Sequence, residues 1–238
     1  MPLERRDPLT QPQGVEPRYP LTAVRWPAAP LLRRPLSAAE LSGPTGQAVL
    51  GRLAALPGGA GTGRGADLAG RGAKRAIGQL IHVRARVVDE DGSPVAGAVV
   101  EIWHANAAGK YIHPNDSHDA PADPNFYGAA RLVADADGRV DLRTIKPGAY
   151  PVPEAGGWWR PPHIHFSVWG RIWLSRLVTQ MFFPGEPLNE QDAVLHAIRQ
   201  PEARNGCIAR LAQDGPENAL TYDYRLVVRG SRATPALP

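Results

Sequence analysis

The chain has 238 residues, 27 Lys and Arg against 23 Asp and Glu, and a formal net charge of +4. Its 25 glycines and 25 prolines are about a fifth of the sequence, too much punctuation for a helix bundle and too aperiodic for collagen. A single cysteine, Cys207, excludes an intrachain disulfide framework and a multi-cysteine zinc site, and the close mixing of bases with acids argues against nucleic acid.

Residues 1–48 are proline-rich and lack periodicity, so they read as an extended arm lying over this domain or a partner. The opening segment MPLERRDPLTQPQG has no apolar core of a secretory leader, and no run of 18 apolar residues follows; the expectation is a cytoplasmic protein with no membrane partner. Residues 51–73 hold 8 Gly and 6 Ala in 23 positions and read as a flexible loop with room for one helical turn. Within it, GTGRGA (61–66) imitates a dinucleotide fingerprint, but no strand pattern precedes it and no apolar helix follows. The expected division is an arm and loop over 1–75 and one folded domain over 76–238.

From residue 80 the texture becomes alternating and β-branched. LIHVRARVVDEDGSPVAGAVVEIW (80–103) reads as two strands with a hairpin-like connection at Asp91 and Gly92. RLVADADGRVDLRTI (131–145) repeats the design around Asp137 and Gly138. HIHFSVWG (163–170), RLVTQMFF (176–183) and TYDYRLVVRG (221–230) are further strands. Six or seven short strands predict a mainly β fold, a sandwich of mixed and antiparallel strands. Two short helices are expected between the last strands: one over 190–198 with Asn189 as N-cap, another from Pro201.

The chemistry centres on His163 and His165. Residues i and i+2 of a strand share a face, so two imidazoles can converge on one metal ion. Two unrelated histidines are the plain alternative. Arg160 leads into the pair through two prolines, and Phe166, Val168 and Trp169 would exclude water. No third histidine lies at zinc-protease spacing, and Glu154 is the nearest upstream carboxylate. Two of the six tyrosines stand out: Tyr150 in a stiff loop, KPGAYP, and Tyr111 just after a strand. Each alone reads as a half-buried tyrosine with a satisfied hydroxyl.

Together these segments resemble a family. EIWHANAAGKY (101–111), IKPGAYP (145–151) and WRPPHIHF (159–166) are similar to the intradiol catechol dioxygenases, most of all the iron-bearing β subunits of the protocatechuate-cleaving branch. DPNF (123–126), TQMFFPGEP (179–187) and YRLVVRG (224–230) fit the same pattern, and the resemblance runs from about Tyr19 to Gly230.

The resemblance implies one non-haem Fe(III) per chain, held by Tyr111, Tyr150, His163 and His165. Phenolate is a hard anionic donor that favours ferric iron, and only the metal's charge makes a tyrosine with an ordinary pKa near 10 a ligand at neutral pH. The implied reaction is cleavage of protocatechuate by O₂ to 3-carboxy-cis,cis-muconate. Tyr150 would act as a base, Arg160 would stabilise the ketonised substrate, and Gln180 would bond to the arginine or the ligands. Tyr19, Trp103, Val152 and Val194 would line the substrate pocket. Val152 stands where these β subunits usually carry tryptophan, which widens the pocket and leaves catechol or hydroxyquinol as alternative substrates; Trp158 or Trp159 could compensate. The implied partner is a homologous α subunit, in a hetero-oligomer of αβ units that the arm at 1–48 would wrap. Residues 87–101 also resemble non-catalytic transthyretin-like sandwich modules, which lack the tyrosine and histidine set. A zinc hydrolase on the histidine pair is disfavoured because phenolates suit zinc poorly.

Overall fold

In a computed structural model of the chain, the described residues are 63–71, 73–113, 116–152, 156, 158–170 and 176–228. Their strands are β1 (Gly65–Asp67), β2 (Gly70–Arg71), β3 (Lys74–Arg75), β4 (Leu80–Val88), β5 (Val99–Trp103), β6 (Ala129–Val133), β7 (Arg139–Ile145), β8 (Tyr150–Val152), β9 (Trp158–Arg160), β10 (His163–Trp169), β11 (Arg176–Phe182), β12 (Arg210–Leu211) and β13 (Leu220–Val227). A 3₁₀ turn (Pro187–Gln191) and the short helices α1 (Ala193–His196) and α2 (Pro201–Asn205) sit between β11 and β12.

Two sheets make the expected mainly β sandwich. One has the order β1-β7-β4-β13-β12, the other β11-β10-β5-β6. Pairing is antiparallel except for β1 with β7 and β13 with β4. The strand period of two drives the layering. On β4, Ile81, Val83, Ala85 and Val87 are buried between the sheets; on β10, Ile164, Phe166 and Val168 are. Burial of each of the Val, Ile and Phe side chains contributes about 1.5–3 kcal/mol. β8 and β9 form a separate antiparallel pair.

Both Asp-Gly turns form, but neither makes a hairpin. β4 and β5 lie in different sheets, as do β6 and β7. At the first corner the Asp89 carboxylate accepts from the backbone N–H of Asp91 at 3.0 Å and Ser93 at 2.8 Å. At the second, Asp135 does the same for Asp137 at 2.9 Å and Arg139 at 2.8 Å. The chain returns only as far as a bridge from Val88 to Pro94 before crossing to the other sheet. An Asp-Gly pair fixes the turn; which strand the exit segment joins is decided by packing.

Two further expectations change. Residues 65–67, read as flexible loop, form β1 alongside β7, anchored by the fully buried Leu68, so the sandwich starts no later than Gly65. The cap of α1 is Asp192, whose carboxylate accepts from Leu195 N, while Asn189 lies buried in the 3₁₀ turn and donates to Phe183 O at 2.8 Å. α2 begins at Pro201 as expected. The arm at 1–48 lies outside the described residues, as do Tyr19 and Glu154. No helix among the described residues is long and apolar enough to cross a membrane.

Candidate active site

Because Ile164, Phe166 and Val168 fill the core, His163 and His165 face the opposite side, the outer face of the four-stranded sheet. Register sets their neighbours there. His165 stands opposite Trp103 on β5 and Gln180 on β11, and His163 stands opposite Phe182. The Trp103 and His165 rings stack at 4.8 Å with an interplanar angle of 5°.

The two tyrosines arrive on loops. Asn106 shapes the first: its side-chain oxygen accepts from Ala108 N at 2.9 Å and Lys110 N at 3.0 Å. The Asp116 carboxylate accepts from Tyr111 N at 2.6 Å, and Lys110 Nζ donates to the carbonyls of Asp116 at 2.9 Å and His118 at 2.5 Å. The second loop, 146–150, is pressed against it. Gly148 N donates to Asn106 O at 2.9 Å. A Cβ on Gly148 would stand 2.3 Å from Ala107 O, and one on Gly109 would stand 2.3 Å from Ala149 O. Only glycine permits that approach. The outcome is an edge-to-face contact of Tyr111 and Tyr150 with centroids 5.4 Å apart.

Four potential donors converge. Tyr111 Oη lies 3.1 Å from His165 Nε2 and 3.5 Å from His163 Nε2. Tyr150 Oη lies 3.4 Å from His163 Nε2, and the two imidazole Nε2 atoms are 3.2 Å apart. Ligands bonded at about 2 Å to one ion, about 90–110° apart, stand roughly 2.8–3.3 Å from one another. His163 Nδ1 sits 2.7 Å from Pro161 O, a group that can only accept, so Nδ1 carries the proton and Nε2 offers its lone pair. Burial, then the Arg160 charge and His165, hold His163 well below the usual histidine pKa, in the neutral form a metal needs.

Arg160 stands beside this cluster, opposite Tyr150 on the β8–β9 ladder. It is 1% exposed. Its Nη1 lies 3.4 Å from His163 Nε2, and Nη2 donates to Gln180 Oε1 at 2.7 Å. Asp192, also fully buried, accepts from Nε at 2.9 Å and Nη2 at 3.2 Å. Removing one member of so buried a pair costs about 3–5 kcal/mol.

Alongside this geometry stand the chain's likenesses to known proteins. The dioxygenase family model matches residues 60–230. The protocatechuate 3,4-dioxygenase β chain of Burkholderia cepacia is 51% identical over 162 residues, covering 67% of this chain and 68% of that one.

The chain belongs to the intradiol dioxygenase family.

It is a close homologue of that β chain, in a family of enzymes that use non-haem iron. Other catechol dioxygenases are more distant: catechol 1,2-dioxygenase 2 of Acinetobacter lwoffii is 34% identical over 53% of this chain and 50% of its own length. The protocatechuate 3,4-dioxygenase α chain of Pseudomonas putida is 31% identical over 65% of this chain and 75% of its own. The solved catechol 1,2-dioxygenase of Pseudomonas arvilla C-1, at 22% identity, shares the fold with a TM-score of 0.57 over 77% of this chain and 62% of that one.

The expected pocket residues of this intradiol dioxygenase are brought to the site unevenly. Trp103 packs on His165, while Val194 is half-buried on α1, two residues from the arginine's partner. Val152 is 3% exposed and pairs with Trp158 across the β8–β9 ladder. Trp158 shares the face of Tyr150 and Arg160, and its ring lies 5.8 Å from the guanidinium carbon. Trp159 points the other way and is 47% exposed. Of these two tryptophans, Trp158 is therefore the one beside the site. Gln180, turned by its bond to Arg160, places Nε2 3.5 Å from His165 Nδ1. Asp192 is a site residue beyond those expected; its sequence signal is that of a helix cap, an Asp three residues before Leu195, which Asn189 also resembles.

Behind the tyrosine loop, His104 is fully buried. Its Nδ1 donates to Ala105 O at 2.8 Å and Nε2 accepts from Thr144 Oγ1 at 2.9 Å. Burial pushes its pKa down to about 4. A histidine whose folded pKa lies below its unfolded value contributes stability that is present above about pH 6.5 and is lost as pH falls toward 4, because the unfolded chain binds the proton first. The expected loss is about 3 kcal/mol across that window. His163 adds in the same direction in metal-free protein. Thermal melts of the metal-free chain at pH 7.5 and pH 4.5 should show the drop, and His104→Asn should flatten the slope; an unchanged slope would assign it elsewhere.

Proposed function

We propose that this chain is the iron-bearing subunit of a protocatechuate 3,4-dioxygenase, cleaving the ring between its two hydroxyl-bearing carbons to give 3-carboxy-cis,cis-muconate. Both atoms of O₂ enter the product, so no external electron donor is needed. The observation that carries this reading is the convergence of Tyr111 Oη, Tyr150 Oη, His163 Nε2 and His165 Nε2, linked through His163 and Tyr111 by contacts of 3.1–3.5 Å. Two phenol oxygens and two imidazoles fit a ferric ion by donor type. Iron held there would polarise a chelated catecholate and open its ring to attack by O₂.

The chain's own groups do the rest. The Pro161 carbonyl holds His163 in the tautomer that presents Nε2. Trp103 keeps the His165 ring from rotating. Tyr150 Oη takes one of the substrate's hydroxyl protons. Arg160 Nη1, directed at the donors, stabilises negative charge that develops on the substrate oxygen. Phe182, its ring tilted against His163 with centroids 5.7 Å apart, keeps water from that side. Trp158, Val152 and Val194 would form the wall of the pocket.

A homologous α subunit as partner is supported by the likeness of this chain to both β and α chains. The test is oxygen uptake against protocatechuate, catechol and hydroxyquinol, with and without a co-expressed homologous subunit. Protocatechuate should turn over at least about tenfold faster than the others, and only in the heteromer. Full activity of the lone chain would overturn the heteromer. Preference for catechol or hydroxyquinol would favour the reading in which the small Val152 opens the pocket.

A further inference from the structure

Arg160 is the largest fully buried side chain of the described residues, and it is a cation set beside a cluster suited to hold another. Something must offset its charge and fix its direction. Gln180 supplies a neutral oxygen to Nη2 at 2.7 Å. Asp192, 0% exposed, supplies a carboxylate that engages the guanidinium from the side through Nε and Nη2. That side-on grip leaves Nη1 directed toward His163 Nε2 at 3.4 Å. The same carboxylate oxygen that takes Nη2 also accepts from Leu195 N at 2.7 Å. Asp192 thus caps α1, the helix that carries Val194.

We propose that Asp192 is a positioning residue: its one carboxylate aims Arg160 at the reacting centre and locks it to the helix that forms the pocket wall. The inference rests on the dioxygenase reading for its kinetic consequence and on geometry alone for the clamp. A bidentate grip fixes both the plane and the roll of a guanidinium. Because the cap and the ion pair share an oxygen, the wall and the arginine move as one unit.

Asp192→Asn tests it, since the amide keeps an oxygen for Leu195 N and loses the charge. In the full chain with its co-expressed partner, kcat/KM should fall about 10- to 100-fold, carried by kcat. In an Arg160→Gln background the same change should cost less than about twofold. Equal losses in both backgrounds would overturn the proposal, because a merely structural residue acts independently of the arginine. A second arm uses metal-free protein and needs no turnover. The Arg160 Nε–H resonance, assigned by its disappearance in Arg160→Gln, should exchange with water at least about tenfold faster in Asp192→Asn. Unchanged exchange would overturn the clamp. If the wild-type heteromer cleaves no catechol, the dioxygenase reading falls while the exchange arm still decides the role of Asp192.

Discussion

His163→Ala is expected to give a folded chain that takes up no iron, lacks the visible tyrosinate-to-iron absorption, and retains less than about a thousandth of the activity. His163 is the hub of the cluster: its Nε2 lies within 3.5 Å of Tyr111 Oη, Tyr150 Oη and His165 Nε2. Loss of a group that only orients a ligand costs about 10- to 100-fold in metal affinity; loss of the ligand itself costs more. The tyrosines cannot compensate, because both already belong to the four-donor cluster. Fold survives because Ile164 and Phe166, on the other face of the strand, hold the sandwich. Metal analysis and the visible spectrum check it. Stoichiometric iron and full colour in the variant would remove His163 from the ligand set. Tyr111→Phe should weaken the band without emptying the site.

Gly148→Ala should destabilise the protein by about 3 kcal/mol, since overpacking against immobile atoms costs that much or more. The expected fall in melting temperature is roughly 6–12 °C. The new methyl would stand 2.3 Å from Ala107 O and 2.8 Å from Gly109 N, both backbone atoms. The cheapest relief separates the two loops and breaks the bond from Gly148 N to Asn106 O. That pulls Tyr111 from Tyr150, so iron colour should fall together with stability. Gly65→Ala is the control: its Cβ would make an ordinary 3.7 Å contact with Asp141 O, and its melting temperature should barely move. A Gly148→Ala protein as stable and as coloured as the parent would show that the loops are not interlocked.

Local signals carried far in this sequence. The two-residue period of 163–169 put both histidines on one face, and the composition of 145–151 announced a rigid tyrosine loop. What local signals missed was which strand each turn leads to. The turns at Asp91 and Asp137 were legible, yet their strands belong to different sheets, because an Asp-Gly turn has the same sequence whether the chain folds back or crosses over. Residues 65–67 looked like loop because pairing through the backbone leaves little mark in side chains.

The high glycine and proline content illustrates the division. Composition by itself excluded a helix bundle and pointed to a turn-rich β fold, and motif order brought tyrosine, histidine and arginine into one family. Only the tertiary structure decided that Gly109 and Gly148 exist to let two loops touch, that Trp158 rather than Trp159 flanks the site, and that Asp192 grips Arg160. The reason is physical. Period and turn chemistry act within a few residues and are written in the sequence, whereas close approach and charge pairing join residues 32 or 40 positions apart and are fixed only when the sheets pack.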